Sequence, residues 1–540
     1  MGRRTYLLLW FGSLALIGGS GLLFRQPGYM DAYYYFHVAA NLADGRGLVE
    51  DIVWNYLAPV DAIPHPSNLY WMPLTSFVAA PAMAVFGQSF RAAQLPLVLV
   101  AALAPVATAA VVWDLWRERW LALTSAALTL FGGFYFYYWS AIDSFGVFVL
   151  ASLLGLWATA RLSTLSDACK GSTSPGGGSP AIVLQLDIGP GKIGWPGSTP
   201  ALALVLGMAA GAAHLARADG LLVLGAGMMF LLLMRSPGWP AVLVLAIVLL
   251  GYLLVMGPWY LRTWAETGSL AVPGTATTMF LQDYNSIFSY QEQPSLQSYL
   301  AWGAGPILLS KLRAFAENLV VLHGGALMLL PFSVIGAWVH RRDLRLLPFF
   351  LYAALMFFFL TIVFTFPGAR GSMRHSGVAL LPWLSVLSLL GIRAVVAWLA
   401  PRRPHWRPGR EEKGFAFIAL GASAALSIAF LVYNAGAWDH ELQHYQAVAA
   451  WLQVRSAGYS PVMVTDPPAF HYVSGRYAVV TPSDGVGAVV AAADKFGVEY
   501  VALEAAHDPS LRGLYTGDEQ AERLSHQDWV GTTHMFKVLR

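Results

Sequence analysis

Cysteine is almost absent from this sequence: Cys169 is the single example in 540 residues. One cysteine excludes a disulfide framework and a thiolate metal cluster, so a metal ion would have to be bound by carboxylate, imidazole or water oxygen. Charge is also scarce, because Asp, Glu, Lys and Arg together make up 12% of the chain. The net charge of +3 is too small to indicate nucleic acid as a partner.

Apolar residues are abundant instead. They account for 57% of the chain, which also contains 20 Trp, and this composition is typical of a polytopic α-helical membrane protein. Eleven apolar runs are long enough to cross about 30 Å of hydrocarbon. They lie near residues 5–24, 91–113, 120–139, 142–160, 200–216, 219–234, 239–257, 316–338, 344–366, 376–399 and 415–433.

A twelfth apolar stretch, near 70–87, decides the predicted topology. If it does not cross, the basic loops lie on one side, which the positive-inside rule makes the cytoplasm. Those loops carry Arg3, Arg4, Arg117, Arg119, Arg341, Arg342, Arg345, Arg402, Arg403, Arg407, Arg410 and Lys413. If it crosses, every basic loop after Arg4 moves outside. A missed or false span elsewhere would return these loops to the cytoplasmic side. We therefore expect an interfacial or re-entrant helix, a cytoplasmic amino terminus that serves as an uncleaved anchor, and an extracytoplasmic carboxyl terminus.

This topology predicts two domains. Residues 1–434 form the transmembrane module, with a first outer loop at about 25–90 and a second at about 258–315. Residues 435–540 form a small extracytoplasmic α/β domain, because strand-like runs at 462–465, 477–480 and 498–503 alternate with helical stretches at 441–455 and 485–496. A Gly/Ser-rich run at 171–180 indicates a linker on the cytoplasmic side.

Several segments, taken in order, resemble one enzyme family. Residues 31–35, 39–48 and 65–73 resemble the first outer loop of C-type (GT-C) glycosyltransferases, especially bacterial protein O-mannosyltransferase and aminoarabinose-transferase-like enzymes of the cell envelope. Residues 214–220 and 258–262, and Arg374–His375 before a span containing Pro382, extend the resemblance. It covers roughly the first 400 residues and implies a donor sugar carried on polyprenyl phosphate. Many relatives have a second acid after the loop aspartate, where this chain has Ala32.

Two carboxylates are the candidate catalytic residues. Asp31 follows the first apolar helix among aromatic residues at the lipid–water boundary, where a carboxylate can remove the proton of an acceptor hydroxyl. Asp143 could bind a divalent metal, Mg or Mn, together with Asp31, or it could orient the acceptor. The alternative for each is a structural one, because Asp is a favoured N-cap residue.

Basic side chains on the outer side are the candidates for binding the donor phosphate, because the leaving group becomes more anionic and arginine matches phosphate oxygens. They are Arg217, Arg262, Arg370, Arg374 and His375. The alternative is that an arginine at a helix end extends to the lipid headgroups without binding substrate. Acceptor-binding or loop-positioning roles fall to His65, Tyr34 and Asp219. His65 beside Pro66 could instead stabilise a turn, and Asp219 could pair with Arg217.

The expected function is transfer of a hexosyl or pentosyl group, with inversion, from a polyprenyl-phosphate donor to a hydroxyl of a protein, glycan or lipid acceptor at the outer face of the bilayer. Two other functions fit a polytopic chain. A transporter or flippase of a lipid-linked sugar would be expected to show repeated halves or matching broken helices, and no such repeat is evident. A non-catalytic membrane scaffold would use the outer domain to bind a partner.

Overall fold

A computed structural model describes residues 1–171, 183–187, 192–196, 199–234, 239–272, 274–326, 329–456 and 460–540. The protein is mostly helical, as the composition predicts. The linker predicted at 171–180 lies outside the described residues except for Gly171.

The helices up to the second long loop are α1 (Arg3–Gly21), α2 (Met30–Ala43), α3 (Leu74–Phe86), α4 (Phe90–Ala101), α5 (Leu103–Trp116), α6 (Arg119–Leu130), α7 (Tyr135–Tyr138), α8 (Phe145–Gly171), α9 (Thr199–Ala216), α10 (Leu221–Met234) and α11 (Trp239–Thr267). Those that follow are α12 (Leu296–Ala301), α13 (Ala304–Gly325), α14 (Leu330–Val339), α15 (Leu347–Phe358), α16 (Thr365–Pro367), α17 (Met373–Ser376), α18 (Leu381–Leu399), α19 (Pro408–Arg455), α20 (Pro467–Ser474), α21 (Val486–Phe496) and α22 (Arg512–Thr516).

The strands are β1 (Val49–Glu50), β2 (Ile52–Val53), β3 (His65–Pro66), β4 (Val183–Asp187), β5 (Lys192–Pro196), β6 (Val462–Val464), β7 (Ala478–Val480), β8 (Tyr500–Leu503), β9 (Leu524–Val530) and β10 (Thr533–Val538).

Within the described residues, six helices are long and apolar enough to cross a membrane, or up to seven if the bent pair α13–α14 is one span. They are Phe90–Trp116, Phe145–Leu162, Thr199–Ala216, Ala241–Thr267, Thr365–Arg402 and Pro408–Arg455. Shorter apolar helices include α3, whose 13 residues extend only about 20 Å at 1.5 Å per residue. That length favours the interfacial interpretation of residues 70–87, while the count of eleven spans remains a prediction.

One predicted span is not a single helix. The apolar run 120–139 is divided into α6 and α7, and α6 ends at Leu130. Gly132 and Gly133 lie in the interruption, and Gly133 has a φ of +61°, a left-handed conformation that glycine adopts without a Cβ clash. The hydrophobicity of this run was therefore a good indicator of burial but a poor indicator of helix continuity.

The carboxyl-terminal α/β region contains the alternation of strands and helices that the sequence predicts, with β6, β7, α21 and β8 at the expected positions. Within the described residues, a six-stranded sheet has the order β2-β7-β6-β8-β10-β9. β2, β7, β6 and β8 are parallel, and β10 is antiparallel to both of its neighbours. The edge strand β2 comes from the first long loop, which is thereby attached to the carboxyl-terminal sheet.

α19 joins the two regions without interruption. This 48-residue helix runs from Pro408 to Arg455, so the predicted domain boundary at 434/435 falls inside it. Beyond that point Trp438 is buried against the ring of Phe24, with centroids 4.5 Å apart, and against Tyr29, at 5.3 Å. Gly28, with a φ of +104°, lies directly on the Trp438 ring, where a Cβ would clash. The division of function at this boundary remains a prediction.

Candidate active site

α2 carries Asp31 in its first turn. The N-cap residue is Tyr29, so Asp31 is not the cap, and the capping alternative does not account for it. A carboxylate in the first turn is nevertheless stabilised by the unpaired N–H groups and the dipole of the helix. The Asp31 side chain is 21% exposed, so a substrate can reach it.

Asp31, Asp143 and His375 converge, although they are widely separated in the sequence. His375 Nε2 lies 3.1 Å from Asp143 Oδ2 and 3.5 Å from Asp31 Oδ2. His375 Nδ1 lies 2.9 Å from the carbonyl oxygen of Gly371, which can only accept a hydrogen bond. Because Nε2 faces two carboxylates, both ring nitrogens donate, and the ring is an imidazolium between two anions.

The Asp143 carboxylate is buried and fully engaged by neighbouring donors. The Tyr29 hydroxyl donates to Oδ2 at 2.5 Å, and the Ser144 hydroxyl donates to Oδ1 at 2.9 Å. The backbone N–H of Ser144 also donates to Oδ1. Asp143 is therefore held in one orientation, with its oxygens turned away from bulk water.

The two carboxylates have different acidities. Burial raises the pKa of Asp31 to about 6; His375 lowers this pKa and Asp143 raises it. Burial also acts to raise the pKa of Asp143, but its interaction with His375 and the bonds from Tyr29 and Ser144 outweigh burial, and the pKa of Asp143 lies below its ordinary value. Environments that give two neighbouring carboxyl groups such different pKa values are typical of sites where one group accepts a proton and the other stays ionised.

The same three side chains are close enough to share a metal ion, with one ligand atom from each within 4.8 Å of the others. The hydrogen bonds that these side chains already form do not fit a bound metal ion. Both oxygens of Asp143 already accept hydrogen bonds, and His375 would have to lose a proton before Nε2 could bind a metal. The predicted Mg or Mn site at Asp31 and Asp143 remains a prediction.

Two of the predicted cations lie beside this cluster. Arg217 is mostly buried and influences the acidity of Asp31. Its Nε donates to Asp219 Oδ1 at 3.2 Å, which is the predicted pairing, and Ser376 donates to the other oxygen of Asp219. Arg374 forms a side-chain hydrogen bond with Tyr138, whose ring is stacked on Phe145.

Arg370 lies on the second long loop's side of the site. Its guanidinium is exposed and lies over the ring of Tyr284, 4.4 Å from the centroid. Asp31 and Arg370 both influence the acidity of Tyr284. Tyr284 is therefore near both the Asp31 carboxylate and Arg370, and Arg370 forms no ion pair with the residues that the structure describes.

Three predicted site residues belong to a different cluster, centred on Glu50. His65 Nε2 is 3.3 Å from Glu50 Oε1 and 2.8 Å from the carbonyl of Ile52. Tyr34 also bonds to Glu50, and both Tyr34 and the positive charge of Arg262 act to lower the pKa of Glu50. This cluster joins β1 to β3 and fits a loop-positioning role for His65 and Tyr34. Phosphate binding by Arg262 remains a prediction.

Tyr29 is the site residue that the sequence did not indicate. It lies two positions before Asp31, yet its hydroxyl contacts Asp143, which is 114 positions away. Ser144 and Ser376 were missed as well. Ser144 directly follows Asp143 in the chain, whereas only the folded chain brings Ser376 to Asp219, which is 157 positions away.

The comparisons with known proteins concern the fold. No protein-family model matches the chain, and no curated protein matches it. The structure is similar to ArnT from Cupriavidus metallidurans bound to undecaprenyl phosphate, with a TM-score of 0.54 and 12% identity over 99% of this chain and 96% of that one. The apo state of ArnT matches with the same values. An Archaeoglobus fulgidus oligosaccharyltransferase tethered with an acceptor peptide matches with a TM-score of 0.50 and 12% identity, over 93% and 69% of the two chains. The predicted GT-C fold is confirmed.

Proposed function

We propose that this protein is a membrane glycosyltransferase that takes a sugar from polyprenyl phosphate. The proposal is based on the GT-C fold and on the cluster of Asp31, Asp143 and His375. One observation carries the proposal: the accessible carboxylate of Asp31 lies 3.5 Å from His375, which in turn contacts the buried carboxylate of Asp143. The likeness to ArnT bound to undecaprenyl phosphate supports the choice of donor.

Asp31 is the proposed general base. It takes the proton of the acceptor hydroxyl while the acceptor oxygen bonds to C1 of the sugar and the bond from C1 to the phosphate oxygen breaks. The electron pair leaves with the phosphate, and the single displacement inverts C1. A base with a pKa of about 6 is ionised at neutral pH and still accepts a proton readily.

His375 and Asp143 are proposed to position that base. The imidazolium attracts the Asp31 carboxylate by charge at 3.5 Å, while hydrogen bonds to Asp143 and Gly371 fix the plane of the ring. Tyr29 and Ser144 in turn fix Asp143. Such a chain of fixed dipoles lets the base act without reorganising its surroundings in the transition state.

Arginines near the cluster are proposed to stabilise the leaving phosphate, which gains a negative charge. Arg217 is oriented by Asp219, and Arg370 is exposed beside Tyr284. Arg374, which is next to His375 in the chain and bonds to Tyr138, is a third candidate. From the distribution of basic loops we infer a site at the extracytoplasmic face, with a hydroxyl of a protein, glycan or lipid as the acceptor.

The direct test is transfer by purified protein from a panel of labelled polyprenyl-phosphate sugars, assayed with and without EDTA. We expect transfer that persists in EDTA, because the donor groups of the cluster are bonded to one another. Loss of activity in EDTA that Mg or Mn restores would show that the cluster rearranges around a metal. Absence of both transfer and donor binding would contradict the proposed enzyme class.

Asp31→Asn separates this function from a transporter and a scaffold. The amide keeps the shape of the side chain but cannot accept the proton, so transfer should fall by about 10² to 10⁴. Donor binding and thermal unfolding should change little. A flippase or a scaffold would keep its activity in this variant.

A further inference from the structure

A large cavity lies on the side of α2 away from Asp31. Its volume is about 920 Å³, at the upper end of the roughly 300–1,000 Å³ that is usual for ligand pockets. The amino-terminal end of α4, the first long loop and α20 of the carboxyl-terminal region also line it. We refer to it as the α2 cavity.

The helical repeat separates this cavity from the cluster around Asp31. α2 contributes side chains at positions 36, 37, 40, 41 and 44, a spacing that defines one helical face. Asp31 precedes the middle of that face, Ala40, by about two and a half turns at 3.6 residues per turn. The two sites therefore lie on opposite faces of one helix.

The charges that line the α2 cavity largely compensate one another. Arg46 forms a two-pronged pair with Asp51, with bonds of 2.7 and 2.8 Å. Arg91 donates to the carbonyls of Gly21, Leu22 and Phe24 at the end of α1. Among the described lining residues, Arg25, Arg91 and Asp44 have no ion pair, so three arginines and two aspartates leave one net positive charge on the wall. Because protein oxygens already occupy the N–H groups of Arg46 and Arg91, the wall suits a neutral polar ligand better than an anion.

Two imidazoles add neutral hydrogen-bonding groups. His37 Nε2 accepts the backbone N–H of Asp51 at 3.0 Å, so its Nδ1 carries the proton. His471 Nδ1 donates to the carbonyl of Arg476 at 2.7 Å, so its Nε2 is an acceptor. Burial lowers the pKa of both rings, in agreement with neutral forms. The wall thus offers one N–H donor and one nitrogen acceptor that form no hydrogen bond with the described residues.

Aromatic rings supply the apolar part of the wall. Phe36 and Tyr472 meet edge to face, with centroids 5.1 Å apart, and Tyr477 lines the same cavity. Rings beside paired polar groups suit a ligand that has hydroxyls on its edges and C–H groups on its faces. That description fits a carbohydrate.

We propose that the α2 cavity is a second binding site, which takes a short neutral oligosaccharide. Its volume accommodates several sugar units. A role in holding an acceptor glycan rests on the proposed transfer function, whereas the binding itself does not. The same helix would then present the base on one face and the distal part of a glycan on the other.

The test is equilibrium binding of fluorescently labelled neutral tetrasaccharides of glucose, mannose, galactose and N-acetylglucosamine to the purified full-length chain. Ala40→Trp fills the cavity from a half-exposed helical position, and Tyr477→Ala removes one ring. We expect saturable binding of at least one tetrasaccharide, weakened about tenfold or more in Ala40→Trp, which corresponds to about 1.4 kcal/mol. Asp31→Asn, on the opposite face, should bind the sugar as the wild type does.

Three results would overturn the proposal: no binding of any tetrasaccharide, binding that neither cavity variant weakens, or displacement of the sugar by millimolar inorganic phosphate, which would indicate an anion site. Thermal unfolding of each variant establishes that it is folded. If the wild type also transfers sugar to a glycan acceptor, Ala40→Trp should raise KM for that acceptor and leave kcat unchanged. Failure of transfer with intact sugar binding would contradict the proposed transferase function and leave the proposed sugar site in the α2 cavity supported.

Discussion

Asp31 and Asp143 are the same chemical group in two environments, and their surroundings assign them different tasks. Asp31 is partly exposed and has one charged neighbour within 3.5 Å, so it can still gain a proton. Asp143 is buried and accepts bonds from Tyr29, Ser144 and His375, so it stays ionised. The difference in hydrogen bonding, rather than the residue type, is the reason that we propose Asp31 and not Asp143 as the base.

The pH dependence of transfer should report the titration of Asp31. Its pKa is raised to about 6, so the ionised, active form dominates above that pH and disappears below it. We expect kcat/KM to fall about tenfold per pH unit below about 6 and to level off above it. The proposed donor is a phosphodiester, which does not titrate in this range. A flat profile from pH 5 to 8 would contradict a role for Asp31 as base.

Removal of the Tyr29 hydroxyl should weaken the support of Asp143. Tyr29→Phe deletes a bond to a carboxylate, an interaction of about 1.5–3 kcal/mol, and leaves the ring in place. Asp143 then presents more unshared negative charge to Asp31. We expect a lower kcat and an upward shift of the midpoint in the pH profile. Tyr433→Phe, on an exposed part of α19, is the matched control and should change neither quantity.

At the level of elements, short strands fix the part of the first long loop that lies between α2 and α3. β1 and β3 pair residues 49–50 with 65–66, and β2 joins the carboxyl-terminal sheet. Glu50 is 3% exposed, and one of its oxygens has no hydrogen-bond partner among the described residues. A buried acid of this kind is costly to ionise, so it couples the stability of the loop to pH.

Glu50→Gln should remove part of the pH dependence of stability. Burial raises the pKa of Glu50 from 4.5 to about 8, an effect that Tyr34 and Arg262 partly offset. The folded state therefore holds a proton that the unfolded chain has released, and stability falls as pH rises from about 4.5 to 8. Thermal unfolding between pH 5 and 9 should show a smaller loss in Glu50→Gln than in wild type. Glu292→Gln, at an exposed position, should retain the wild-type slope.

At the scale of the whole molecule, α19 and β2 connect the carboxyl-terminal region to the active site from two directions. Trp438 of α19 packs on Tyr29, which bonds to Asp143. The side chain of Gln26 donates to the carbonyl of Trp438, and β2 pairs with β7. Removal of the residues after 434 would take away both connections, so such a truncation should lose transfer altogether instead of losing only acceptor preference.

Trp438→Ala tests this connection without deletion. Loss of a buried Trp side chain should cost about 3–5 kcal/mol in unfolding free energy and leave a cavity beside Tyr29. We expect lower thermal stability and a lower kcat, with Trp438→Phe restoring much of both. Tyr433→Ala, five residues earlier on the same helix and 75% exposed, should behave as wild type. Equal effects of the two alanine variants would show that Trp438 has no special role.

Sequence patterns were sufficient wherever the signal is local. Apolar composition indicated a helical membrane protein, and alternating short runs located β6, β7, α21 and β8. Asp31 stood out because it is an acid among aromatic residues beside an apolar helix. The break between α6 and α7 was missed, because hydropathy averages over a run and does not register the backbone conformation of Gly133.

The sequence by itself determined the class of the protein, its GT-C fold by resemblance, and the candidate acids and bases, because hydrophobicity and residue type are properties of single positions. Tertiary structure decided which of them meet. His375 lies between Asp31 and Asp143, while Arg262, His65 and Tyr34 surround Glu50 instead. Charge pairing, burial and the resulting acidity depend on distances of a few Å between residues that lie hundreds of positions apart, and only the folded chain sets those distances.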